Sequence, residues 1–199
     1  GVTDASYAEA LKHASLSVNV HLAKLGIGME PDEVEVFERE PVDPGKHLPK
    51  VAYFVTHMAS HDTWNFLYYG QSALNFLPIV VQPTEILDGA MIWRYWEPNY
   101  FLQNEVYIKE LMKRHGKDLE FMGIVFSNNV MKIDGKDTMG MIGATLCKET
   151  LGADCVMLNK SGMGHCQLDS ALAFNWCEKF GMDAVLNLSA VSNDEPGDM

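Results

Sequence analysis

Val51-Ala52-Tyr53-Phe54-Val55, entered from Lys50 and running straight into Thr56-His57-Met58-Ala59-Ser60-His61-Asp62, is the stretch on which the fold turns. An apolar run this short, rich in β-branched and aromatic residues, reads as a strand buried on both faces. The abrupt change to polar and ionisable residues marks its carboxyl end. Similar runs follow at Leu77-Pro78-Ile79-Val80-Val81, Phe121-Met122-Gly123-Ile124-Val125-Phe126, Cys155-Val156-Met157-Leu158 and Ala184-Val185-Leu186-Asn187-Leu188. Helices are expected between them, over 62–74, 101–115, 137–151 and 168–180. Gly116, Gly152 and Gly181 supply stops for the last three, and Lys113-Arg114-His115 meets a helix dipole. Strands and helices in alternation predict an α/β fold: a doubly wound, mostly parallel five-stranded sheet with helices on both faces.

Outward from this core, residues 5–25 carry a helical pattern with Leu11, Leu16, Val18, Leu22 and Leu25 among its apolar positions, and Gly26 ends it. Pro41, Pro44 and Gly45 read as a linker. The expected organisation is a helical arm and linker over 1–48 and an α/β core domain over 49–199. With 199 residues, 47% hydrophobic and 21% charged, the chain has the composition of a folded globule. Its net charge of −12 excludes the basic surfaces that nucleic acids and anionic membranes require, and leaves small cationic or zwitterionic ligands open. Neither a membrane-length apolar run nor a signal-peptide pattern is present. Four cysteines without a CxxC pair fit a reducing cytoplasm. A start at Gly1 rather than Met reads as part of a longer product.

In sheets of this class ligands bind outside the carboxyl ends of the strands, so the residues after each strand are the candidates. His57 and His61 lie four apart, and His165 and Cys166 follow another strand. Imidazole and thiolate suit zinc or another transition metal, and such spacing equally arises when histidines cap helices. Cys166, at a helix start, is a candidate nucleophile or ligand; the alternative is a small buried thiol. Gly162-Met163-Gly164-His165 lacks the third glycine of a dinucleotide fingerprint and reads instead as a tight loop that lets backbone approach a ligand. Trp93, Tyr95, Trp96 and Tyr100, near Glu85 and Asp88, fit either an ammonium cage or a subunit interface.

Several strings then read together: Leu48-Pro49-Lys50-Val51-Ala52-Tyr53, His61-Asp62-Thr63, Pro83-Thr84-Glu85-Ile86-Leu87-Asp88-Gly89-Ala90, His115-Gly116-Lys117-Asp118-Leu119-Glu120-Phe121 and Leu146-Cys147-Lys148-Glu149-Thr150-Leu151-Gly152-Ala153-Asp154. In order and spacing they resemble the component B proprotein subunit of clostridial glycine, sarcosine and betaine reductases and, more distantly, D-proline reductase. The likeness runs from about residue 5 to 195. It implies a subunit of an oxidoreductase complex that reductively cleaves a C–N bond in amino-acid metabolism. The implied partners are other subunits of the same proprotein and a redox-active selenoprotein or thiol subunit. It also implies that Gly1 and Met199 are internal ends of a longer chain. The resemblance places a pyruvoyl-forming cysteine shortly after the Asp-Gly-Ala string. Residues 91–100 hold no Cys, Ser or Thr, so that role is carried onto no residue.

The expected function is a cytoplasmic, hetero-oligomeric reductase-like subunit with a pocket for a small amine or zwitterion. His61, His165, Cys166 and Glu85 are the candidate catalytic residues, with His61 or His165 moving protons. Asp62, Asp88, Trp93, Arg94 and Trp96 are the candidate substrate contacts, with Arg94 on a carboxylate. Two other readings stand beside it: a metal-dependent enzyme using His57, His61 and His165 or Cys166, and a non-catalytic scaffold.

Overall fold

The computed structural model describes residues 4–57, 66–93, 99–160 and 164–187. Two compact units divide between Val36 and Phe37. The first contains α1 (Asp4–Leu25), with Lys24 in its last turn to complement the helix dipole. The second contains, in chain order, β1 (Lys50–His57), β2 (Phe66–Tyr68), β3 (Gln71–Ser72), β4 (Ile79–Val81), α2 (Pro83–Leu87), β5 (Met91–Trp93), α3 (Asn99–Gln103), α4 (Val106–Arg114), β6 (Glu120–Asn128), α5 (Ile133–Thr145), β7 (Cys155–Lys160), α6 (His165–Lys179) and β8 (Asp183–Leu186).

The main sheet runs β4-β6-β1-β7-β8. The strands β6, β1, β7 and β8 are parallel, and β4 pairs antiparallel with β6 at the edge. This is the mostly parallel five-stranded α/β sheet expected from the sequence. β1 is central, which is why its sequence is apolar without alternation. Tyr53 and Val55 face Ile108, Leu111 and Met112 of α4. Ala52 and Phe54 face Ala144, Cys147, Ala173 and Cys177, in and just after α5 and in α6. Helices therefore cover both faces. Gly143 makes room for Phe54, since a Cβ there would lie 2.1 Å from Phe54 Cζ; a Cβ on Gly140 would lie 3.0 Å from the Ala173 backbone nitrogen. Together these two glycines let α5 and α6 pack tightly over β1.

Residues 37–47 are tied to this core. Arg39 Nη1 donates to the Phe121 and Met122 carbonyls at 3.0 and 3.1 Å. These flank the bulge where pairing shifts from Val51↔Phe121 to Ala52↔Gly123. His115 holds both ends of its ring, with Nδ1 accepting from Phe121 N at 2.9 Å and Nε2 at 2.9 Å from Glu40 O.

Three expectations change. The helix over 62–74 is not formed in its described part: residues 66–72 are an antiparallel hairpin, joined by β5 into a small second sheet. Its turn has positive φ at both Tyr69 (48°) and Gly70 (77°), the geometry of a two-residue hairpin. β4 enters the main sheet antiparallel, a pairing that does not require the crossover helix that parallel strands need. The helix over 101–115 is two helices, α3 and α4. Glu105 separates them, its carboxylate capping α4 at Ile108 N, 2.6 Å. The helix over 137–151 begins earlier, at Ile133, and ends in a π-turn over Leu146–Thr150, where Leu151 N donates to Leu146 O at 3.0 Å.

Candidate functional site

From β1 the chain crosses to β6 on one side and then returns to β7 on the other. The carboxyl ends of β1 and β7 are thus the topological switch point, where an open α/β sheet leaves a crevice. Thr56 and His57 end β1, Asn128 ends β6, and Lys160 ends β7. α6 starts directly above, with Ser170 Oγ 3.1 Å from Thr56 Oγ1.

Two polar clusters flank this edge. On the α5/α6 side, Lys136 Nζ bonds the Asp169 carboxylate, His165 Nδ1 (3.0 Å) and the His165 carbonyl (3.3 Å). Lys136 is 3% and Asp169 4% exposed, so the ion pair is taken out of water. Asp169 Oδ1 also accepts from Val130 N. Burial raises the Asp169 carboxyl above its ordinary value, against the pull of Lys136 and the Val130 amide. An ammonium has no lone pair, so His165 Nδ1 is the acceptor and its ring proton sits on Nε2. On the α4 side, Tyr53 Oη donates to Glu105 Oε1 (3.0 Å) and accepts from Asn159 Nδ2 (2.8 Å). Asn187 Nδ2 donates to Tyr107 Oη. Burial raises Glu105 despite the donors around it.

His57 packs on Phe126, centroids 5.1 Å apart, and near Phe66 at 5.7 Å. Burial drives its pKa from 6.5 down to about 3, so it is neutral at physiological pH. Cys166 is fully buried. Burial pushes its thiol up, Asp169 adds to this, and Lys136 and Lys160 oppose it. The group is therefore held as a thiol rather than a thiolate.

Glu85 and Asp88 lie elsewhere. With Tyr69, Thr84, Gly89 and Ile92 they line a shallow depression of ≈ 450 Å³ beside the small sheet. Glu85 accepts from Gln82 N (2.6 Å), Tyr68 Oη (2.7 Å) and Tyr69 Oη (2.9 Å). Partial burial raises its pKa, but these three donors outweigh that and hold it below the usual range. It caps α2 and ties α2 to the hairpin. Trp93 is the last residue of β5, paired with Phe66. His61, Asp62, Arg94 and Trp96 lie outside the described residues. The structure thus brings His57, His165 and Cys166 to one edge and puts Glu85 and Asp88 in a separate depression. Among the described residues no three His, Cys, Asp or Glu side chains converge as a metal site. No helix among them is long and apolar enough to cross a membrane.

Lys136, Asp169, Tyr53 and Glu105 are not among the residues that the sequence pattern singles out. Lys136 was hidden because Lys132, Asp134 and Asp137 around it look like a solvated helix face. The one available signal was Asp169, close behind Gly164-His165 in a stretch that follows a strand.

The family model for glycine/sarcosine/betaine reductase component B subunits matches residues 1–195. A sarcosine reductase complex component B subunit alpha from Peptoclostridium acidaminophilum is 33% identical over 213 residues, covering 99% of this chain and 47% of the relative. The glycine reductase complex component B subunits alpha and beta of the same organism are 30% identical, covering 98% and 46%. Its betaine reductase complex component B subunit alpha is 28% identical, covering 89% and 42%. The chain spans about half the length of the curated relatives it matches. No solved structure matches it. With the family match running almost from end to end of the α/β core and the segment before it, the chain belongs to the glycine/sarcosine/betaine reductase component B subunit family.

Proposed function

We propose that this chain is a component-B subunit that presents a small zwitterionic amine, of the glycine, sarcosine or betaine type, at the carboxyl edge of its sheet. The reductive C–N cleavage is completed with a redox-active thiol or selenol subunit of the same complex. The observation that carries this reading is the concentration of buried polar groups around the β1/β7 switch point: Lys136–Asp169–His165 on one side and Tyr53–Glu105–Asn159 on the other. A core this apolar retains buried charge at a cost, and such groups gather where a ligand is handled.

In this reading Asp169 holds Lys136, and Lys136 fixes the His165 ring so that Nε2–H is presented outward. His165 is exposed, so Nε2–H can pass its proton to the amine that leaves when the C–N bond is reduced, with Nδ1 taking a proton from the Lys136 ammonium in the same step. Glu85 positions α2 and the hairpin and does not exchange protons, since its oxygens are already occupied. Calorimetric titration of the purified chain with glycine, sarcosine and betaine tests the proposal. Saturable binding of at least one of them, weakened by His165→Ala and unchanged by Asp88→Asn, is expected. No binding by any of the three overturns it.

A further inference from the structure

Asn129 is 1% exposed, and neither its side-chain nitrogen nor its oxygen has a hydrogen-bond partner. Its backbone shows where it sits. Asn129 N donates to His57 O at 2.8 Å, and the next amide, Val130 N, donates to Asp169 Oδ1. The carboxamide is therefore held where the end of β1 meets the first two turns of α6. An orphaned buried amide is costly and rare, and calls for a partner from outside the chain: a water, an ion or a ligand group. α6 begins at the same point. Its N-cap is Gly164, at φ 65°, with no side-chain cap hydrogen bond, so a 15-residue helix brings its positive end to this edge uncapped by a side chain. Lys136 and Lys160, 3% and 5% exposed, both lie close enough to Cys166 in the first turn of α6 to act on its thiol electrostatically.

We propose that the start of α6, Asn129 Nδ2 and the Lys136/Lys160 pair form a pocket for a small oxyanion, and that the oxyanion is the carboxylate of the zwitterion. The second clause rests on the function proposed above; the pocket itself does not. Asn129 Nδ2 donates to one carboxylate oxygen and the amides that open α6 to the other. The lysines supply positive charge close to it. Asn129 Oδ1 then remains to accept from an amine N–H on the same molecule.

The test titrates the purified full chain with acetate and, separately, inorganic phosphate, and repeats both with glycine and sarcosine. It uses the wild type, Asn129→Leu, Lys160→Met and, as a control in the other polar site, Glu85→Gln. Acetate is expected to bind, and Asn129→Leu and Lys160→Met are expected each to weaken acetate and glycine at least tenfold, while Glu85→Gln leaves both unchanged. Asn129→Leu is also expected to raise the unfolding midpoint, because it removes an unpaired polar group. A residue that merely held the fold would lower it. Phosphate binding without acetate binding would keep the pocket and overturn its assignment to an amino-acid carboxylate. Failure of both anions overturns the pocket. Glycine or sarcosine binding that is indifferent to Asn129→Leu overturns the inference and leaves the proposed function standing. Acetate binding lost in Asn129→Leu, with no zwitterion bound, overturns the function and leaves the pocket.

Discussion

Two polar regions of this molecule invite the same reading and differ in one respect. Around Glu85 every donor has an acceptor: Gln82 N, Tyr68 and Tyr69 converge on one carboxylate, and the result is a tie between α2 and a hairpin. At the carboxyl edge of the main sheet the polar groups are more deeply buried, and the Asn129 carboxamide has no hydrogen-bond partner. The difference teaches that saturation, rather than the presence of charge, separates groups that hold a fold from groups that await a ligand. The depression beside Glu85 is open, acidic and aromatic, and looks more like a ligand cage than the crowded edge does, yet its carboxylate already accepts three hydrogen bonds.

The largest expected effect breaks the buried pair. Asp169→Ala leaves Lys136 charged and unpaired in a low-dielectric site, and should cost about 3–5 kcal/mol in denaturant unfolding. A loss below ~1 kcal/mol would mean the edge is wetter than its burial indicates. Next is the pH dependence set by His57. Its folded pKa is depressed from 6.5 to about 3, so the unfolded chain binds a proton that the folded one refuses between those values. Stability is therefore full above pH 6.5 and falls as the pH drops toward 3. Glu85, also depressed when folded, adds a further loss below its ordinary value of 4.5. His57→Phe should flatten the part of the slope between pH 6.5 and 4.5, read as the denaturant midpoint at each pH.

Smaller effects separate the two regions directly. Glu85→Gln weakens a cap and two tyrosine hydrogen bonds in a half-exposed setting, and should cost about 1 kcal/mol without touching ligand affinity. Asn129→Leu should change stability by a similar ~1 kcal/mol in the opposite sense. Smallest is a preference within the zwitterions. Betaine has no N–H for Asn129 Oδ1, so it should bind a few-fold more weakly than sarcosine, and Asn129→Leu should erase that gap.

Much of the fold was legible because burial on both faces leaves an unmistakable trace. The runs at 51–55, 121–126 and 155–158 all fall within parallel strands, and Gly152 and Gly181 stand at positive φ just past the helices they close. What failed was local. The Tyr68-Tyr69-Gly70 stretch reads as helix because tyrosine is an unusual residue for positive φ, so a turn specified by Gly70 alone was missed. Glu105 looks like one more charge on a helix surface, yet its carboxylate ends one helix and starts another. Of the proposed edge site, half was legible. The rule that ligands gather beyond strand ends pointed to His57, His165 and Cys166. It could not reveal that Lys136 folds inward to Asp169, because pairing between α5 and α6 is a tertiary fact with no sequence period. Nor could residue type show that Glu85 was already occupied.

The central claim, that the carboxyl edge rather than the Glu85 depression holds the ligand, is tested most directly by one paired titration. Glycine is titrated into Asn129→Leu and Glu85→Gln side by side with the wild type. The account predicts at least a tenfold loss of affinity in Asn129→Leu and none in Glu85→Gln. Loss in Glu85→Gln with Asn129→Leu unaffected would contradict it.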